Sequence, residues 1–315
     1  MTIKHQIKKA LHQLPYIEKK VQYLRHGKNT LHESRDAAQS NGMYPPGHYH
    51  SPIPSLQEIK KHENRLFNRQ KKIIAGVDLR EEAQVRLLED LAKHYADLPF
   101  QDLKNEEGRY YFRNDCYSYA DAIYLYSLIR HLRPKKIIEV GSGFSSAVTL
   151  DTNELFFNNE INCIFIEPYP ERLLSLLKQG DHERCQIIKK DLQEIPLDTF
   201  RELQKNDILF IDSTHVSKIG SDVNYYLFEI LPCLAPGVVI HIHDIFYPFE
   251  YPSEWVYKGI AWNEDYIIRA FLQYNKQFQI MLFGNYIGLF QENWLREHMP
   301  RCLENIGGSL WLKKV

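Results

Sequence analysis

From residue 135 to the C-terminus, short apolar runs alternate with stretches whose apolar residues recur at helical spacing. The runs fall at Ile137–Val140, Asn162–Ile166, Ile187–Ile188, Asp207–Ile211, Val238–Ile242, Phe278–Phe283 and Ser309–Leu312. Near-continuous apolar runs are what strands buried on both faces require, and strand–helix alternation predicts a mainly parallel α/β sheet. Before residue 110 the periodic stretches are helical. Ile3, Ile7, Leu11 and Leu14 predict a helix within residues 1–26, and Ser55 is placed to cap one running to about Gln70. Asp78 opens another through Leu79, Val85, Leu88, Leu91 and Tyr95, and a helix from Ser118 to Leu132 is ended by Pro134. The expected division is an α-helical N-terminal extension over residues 1–110 and an α/β domain over residues 111–315.

One stretch interrupts the helical half. Met43–Pro54 carries four prolines with His48, Tyr49 and His50, and predicts a shaped loop, with a lid among its uses. A lone His-x-His in such a loop reads as packing or hydrogen-bonding residues before it reads as a metal site. The balance of 39 Lys and Arg against 40 Asp and Glu leaves a formal charge of −1, which argues against broad nucleic-acid binding. Hydrophobic and charged fractions of 44% and 25% fit an ordinary soluble domain, and no apolar run is long enough to span a bilayer. Five scattered cysteines without a Cys-x-x-Cys pair, and an N-terminus without a signal-peptide core, point to the cytoplasm.

The chemistry centres on Ile137-Ile-Glu-Val-Gly-Ser-Gly-Phe-Ser-Ser146. Strand, Gly141-Ser142-Gly143 turn and a helix opened near Ser145 form the nucleotide-binding start of a doubly wound sheet. A dinucleotide fingerprint would place its third glycine at Ser146, so that match is incomplete. Glu139 is more telling. A carboxylate beside the turn would repel a pyrophosphate and suit a cationic ammonium. The later strands each close on acidic residues: Glu167, positioned to accept ribose hydroxyls; Asp191 after the third; Asp212 after the fourth; His243-Asp244 after the fifth. No Gly-Lys-Ser/Thr follows the turn, which excludes a P-loop kinase.

Glu139-Val-Gly141-Ser142-Gly143-Phe-Ser145 resembles motif I of the class I S-adenosylmethionine-dependent methyltransferases. Phe210-Ile-Asp212-Ser-Thr-His215 and His243-Asp244 resemble segments of the superfamily's O-methyltransferase-like branch. The whole chain, from Tyr-Pro-Pro-Gly-His to Pro-Phe-Glu-Tyr-Pro-x-Glu-Trp, is similar to an uncharacterised bacterial group of these enzymes, which names no substrate. The resemblance implies a seven-stranded, Rossmann-like sheet with a terminal hairpin. It also implies S-adenosylmethionine as cofactor, held by Glu139, Gly141, Ser142, Gly143, Ser145, Glu167, Asp191 and Asp212. By the same likeness, Asp212 and Asp244 become ligands for a divalent metal beside the acceptor. The family's third ligand position holds Ile245, a departure that puts magnesium in doubt. His243, His215 and Asp212 are the catalytic candidates, with either imidazole able to take a hydroxyl proton near neutral pH. His241, deeper in the strand, reads as a satisfied core histidine.

Acceptor identity belongs to the aromatic segment after the fifth strand, where Tyr247, Trp255 and Trp262 are the candidate contacts for a planar or sugar-like small molecule. The expectation is an O-methyltransferase of the cytoplasm acting on a small molecule. Two rivals stand beside it: a nucleotide-dependent oxidoreductase and a non-catalytic binding module on the same fold. The oligomeric state, homodimer included, is open.

Overall fold

The computed structural model describes residues 43–315, which divide between Glu63 and Asn64 into two units. The helix expected within residues 1–26 lies outside the described residues. In the first unit, Tyr44, His48, Tyr49 and His50 pack their rings together, and Ser55 Oγ accepts the Glu58 N–H at the start of helix α1 (Leu56–Lys61). The helix is shorter than the expected run to Gln70, since His62 closes it.

The second unit is built on seven strands: β1 (Lys136–Val140), β2 (Asn162–Ile166), β3 (Cys185–Ile188), β4 (Ile208–Ile211), β5 (Val239–Ile242), β6 (Phe278–Phe283) and β7 (Leu310–Lys314). Their order is 3-2-1-4-5-7-6, with β7 antiparallel to both neighbours and the rest parallel. The expected mainly parallel, doubly wound sheet with a terminal hairpin is therefore what the chain forms. Strands β4 and β5 are buried along their whole length, as their apolar runs, broken only by His241, require. Each isoleucine or valine so buried contributes about 1.5–3 kcal/mol.

Helices α2 (Glu81–Ala92), α3 (Ala120–Leu132), α4 (Phe144–Phe157) and α5 (Glu264–Leu272) pack around this sheet. Helix α3 hides nearly all of its side chains, and Leu88, Leu91, Phe100 and Tyr110 from the preceding segments join the same core. Gln84 fixes α2 to the sheet edge: its amide donates to Leu79 O (2.6 Å) and accepts the Phe283 N–H (2.7 Å). A buried ionic cluster ties down the segment before α3. Arg109 reaches Asp151 on α4 (2.7 Å), Glu154 (2.5 Å) and Asp181 in the β2–β3 connection (2.5 Å), with the Arg109, Asp151 and Asp181 side chains nearly sealed from solvent.

Order reverses between β1 and β4, so the loops after these strands diverge and leave a crevice at their carboxyl ends. Register sharpens the point. Val140 pairs with Ile211, which brings Gly141 against Asp212. Gly141 has φ +79°, and a Cβ there would lie 1.7 Å from the Asp212 carbonyl oxygen, so only glycine fits.

Candidate functional site

Two cavities open along the strand ends and share a wall. The smaller, about 370 Å³, is lined by Gly141, Glu167, Asp191 and Leu192, and the larger, about 750 Å³, by Asp121, His215, His243, Asp244, Trp255 and Trp262. Asp212, Ser213 and Thr214, the residues leaving β4, line both.

Beneath the glycine turn, Glu139 is fully buried. Ser145 and Ser146 donate their hydroxyls to Oε1 (2.6 and 2.8 Å), while Oε2 has no partner. Burial, with Asp212 and Glu167 nearby, raises this carboxyl to about 8 despite the two hydroxyls. Ser145 therefore does not cap the helix. It is the second residue of α4, and it is Ser146 Oγ that accepts the Gly143 N–H (3.0 Å). Glu167 accepts the backbone N–H groups of Ser142 (3.2 Å) and Tyr169 (2.8 Å), which fixes it at the mouth of the smaller cavity. Asp191 lies on the same wall and makes no side-chain cap bond to the turn it precedes.

On the larger cavity's floor the β4 and β5 ends bring four charged groups together. His215 Nε2 lies 3.3 Å from Asp212 Oδ1 and 3.7 Å from Asp244 Oδ2, and His243 Nε2 lies 3.6 Å from Asp244 Oδ1. Asp212 feels burial upward, but His243 and His215 more than offset it and leave the carboxyl at about 2. Burial pulls His215 down, yet its bonds and proximity to Asp212 and Glu264 raise it well above an ordinary imidazole. His243 is likewise raised, against burial, by Asp244, Asp212 and Asp121. Asp244 is pushed up by burial in spite of both histidines. His215 and Asp244 are both left-handed, with φ of +59° and +56°, a backbone cost non-glycine residues bear where surrounding contacts over-determine them.

Among the described residues no group of three or more His, Cys, Asp and Glu is arranged to hold a metal; His215 Nε2 lies within 3.7 Å of both Asp212 and Asp244. The position after Asp244 is Ile245, fully buried.

Not every anticipated residue reaches the site. Tyr247 is a correction: it is fully buried against Phe283, Tyr286 and Phe290, its hydroxyl donating to the Lys71 carbonyl, and it lines neither cavity. Its neighbour Phe246 takes the cavity wall, because the chain turns over between them. His241 is a core residue stacked on Phe210 (4.0 Å) and tilted against Trp311 (4.5 Å), but neither nitrogen has a partner, and burial holds it well below the usual imidazole range. Two acids escaped the sequence reading. Asp121 on α3 accepts the Gly308 N–H (3.2 Å) at the larger cavity and is raised by burial to about 6. Glu264, at the start of α5, contacts His215 Nδ1 (2.8 Å). An acid opening a helix after Trp262-Asn263 was the one available signal for it.

A family model described as a methyltransferase domain matches residues 138–245, from the glycine turn to the end of β5. An uncharacterised protein of Archaeoglobus fulgidus is 34% identical over 174 residues, 53% of this chain and 76% of the relative. The chain belongs to the class I S-adenosylmethionine-dependent methyltransferases. Among solved structures, the SAH-bound Podospora anserina methyltransferase is similar at 14% identity and a TM-score of 0.41, over 84% of this chain and 99% of that one. The O-methyltransferase TomG of Streptomyces achromogenes is similar at 15% identity and a TM-score of 0.39, over 82% and 96%. Of the readings drawn from the sequence, these matches support the methyltransferase with S-adenosylmethionine as cofactor. Among the described residues no helix is long and apolar enough to cross a membrane.

Proposed function

We propose that this methyltransferase transfers the methyl group to a hydroxyl of a small planar or sugar-like molecule, with His243 taking the acceptor's proton. The observation that carries the reading is the shared Asp212–Thr214 wall. It puts a nucleoside-sized cavity and an acceptor-sized cavity side by side, with both histidines on the acceptor side. In this reading Glu167 accepts the ribose hydroxyls and Asp191 meets the adenine amino group; Glu139, buried beneath the turn and lining neither cavity, keeps its partnerless Oε2 for the cofactor's ammonium. S-adenosylmethionine supplies an activated methyl on a sulfonium, so the protein's tasks are alignment and proton removal.

His243 is favoured as the base because it lines the larger cavity and its Nε2 makes only a long contact with Asp244 (3.6 Å), whereas both nitrogens of His215 are committed. Trp255 and Trp262, half-buried with ring centroids 5.3 Å apart and perpendicular, offer an apolar corner in which a planar acceptor can rest against a ring face. Asp212 and Asp244 remain the residues that would meet a divalent ion. The His215 ring between them supports proton handling by imidazole as the primary route.

The test is S-adenosylhomocysteine formation from S-adenosylmethionine with matched panels of phenols, catechols, sugars, amines and thiols, repeated after metal chelation. Turnover with hydroxyl compounds that survives chelation supports the proposal. Turnover confined to amines or thiols, or abolished by chelation and restored by a divalent metal, overturns it.

A further inference from the structure

Behind His215 lies a line of buried side chains that the reaction as described does not use. Tyr226 Oη donates to Glu264 Oε1 (2.6 Å), and Glu264 Oε2 holds His215 Nδ1 (2.8 Å). Exposure is 0% for Tyr226 and 1% for Glu264, and Glu264 lines neither cavity. A carboxylate taken this far from water costs several kcal/mol unless each oxygen is matched, and here each is. The fold does not need that expense to seat α5, since Asp265 already receives the Phe246 N–H (3.1 Å) and Ile268 is fully buried.

The residues before Glu264 close on the same loop. His215 O accepts the N–H groups of Asn263 (3.2 Å) and Glu264 (3.3 Å). Asn263 Oδ1 accepts the Ser217 N–H (2.7 Å), and its amide donates back to Ser217 O (3.1 Å). The Trp262 ring lies on the His215 ring at 4.3 Å. Two uncommon backbone forms meet along this line: left-handed His215, and a π-helical turn over Tyr226–Ile230 that begins at the tyrosine itself. π-Helical turns concentrate at functional sites.

We propose that Glu264, braced by Tyr226, is a positioning residue for His215. It commits Nδ1, so that Nε2 stands between Asp212 and Asp244 and sets the spacing of the two carboxylates where the cavities meet. The inference rests on the proposed role of this His–Asp cluster in handling the acceptor, but its geometry can be tested without any acceptor.

The experiment is long-range ¹H–¹⁵N correlation on protein labelled with ¹⁵N-histidine, with S-adenosylhomocysteine affinity measured by calorimetry on the same samples. In wild type, one ring N–H resonance, assigned to His215 by its loss in His215→Asn, is expected downfield and slow to exchange. Glu264→Ala should abolish it, Glu264→Gln should restore it because the amide oxygen still accepts, and Tyr226→Phe should shift it. Retained S-adenosylhomocysteine binding shows that each of the three variants is folded. A folded Glu264→Ala protein with an unchanged His215 signal overturns the proposal. If Glu264→Ala does not fold, Tyr226→Phe decides: an unmoved signal there overturns it equally. Failure of the hydroxyl panel with these signals behaving as expected overturns the proposed reaction and leaves the positioning intact.

Discussion

Glu139 illustrates how one residue couples folding, protonation and ligand. Its carboxyl, raised to about 8 by burial, is protonated at neutral pH in the free protein. The folded state therefore holds a proton that the unfolded chain, with an ordinary glutamate, has released. Stability from this group is complete below about pH 4.5 and is lost as pH rises toward 8, at no more than about 1.4 kcal/mol per pH unit. Glu139→Gln should flatten that part of a denaturation-against-pH curve. A cationic ammonium at Oε2 would draw the proton off, so binding S-adenosylmethionine at pH 7 should release protons. Calorimetry in buffers of different ionisation heat reads this directly, and a buffer-independent enthalpy would place the ammonium elsewhere. His243 belongs to the other half of the reaction. His243→Ala should lower turnover by roughly 10²–10⁴-fold, the usual worth of a general base, while S-adenosylhomocysteine affinity changes little. Retained turnover would remove it as the base.

At the scale of elements, the site depends on how loops after β1, β4 and β5 are held, and on a clamp some distance from it. Arg109 binds three acids from α4 and the β2–β3 connection, and in doing so fixes the segment that leads through Asn114 and Cys116 into the larger cavity's wall. Removing one partner of a buried ion cluster strands the others. Arg109→Ala should cost about 3–5 kcal/mol by chemical denaturation, well beyond a surface arginine. A loss under about 1 kcal/mol would mean that water reaches Asp151 and Asp181 and takes over.

For the whole molecule, the arrangement that matters is two cavities on one sheet edge, supported by helices whose residues precede the glycine turn. Leu88, Leu91, Phe100 and Tyr110 lie in one core with α3 and the sheet. A chain beginning at residue 111 should therefore expose that core and fail to give a cooperative melting transition, whereas one beginning at residue 64 should melt cooperatively. Thermal unfolding followed by circular dichroism distinguishes them, and cooperative melting of the shorter chain would show that the preceding helices are dispensable to the fold.

Sequence alone determined what is written in local pattern. Period and composition set the seven strands. The Gly141-Ser142-Gly143 turn and the acids Glu167, Asp191, Asp212 and Asp244 at strand ends made the site's edge readable, because parallel strands carry their carboxyl ends to one edge of the sheet. Tertiary structure decided what depends on partners far along the chain. Glu264 finds His215 across 49 positions, Asp181 finds Arg109 across 72, and Asp121 finds Gly308 across 187. Periodicity is blind to such pairs, since each acid looks like any other until packing removes water from around it. Tyr247 and Trp255 looked alike as aromatics after β5. Only the path of the chain sent one into the core and the other into the cavity wall.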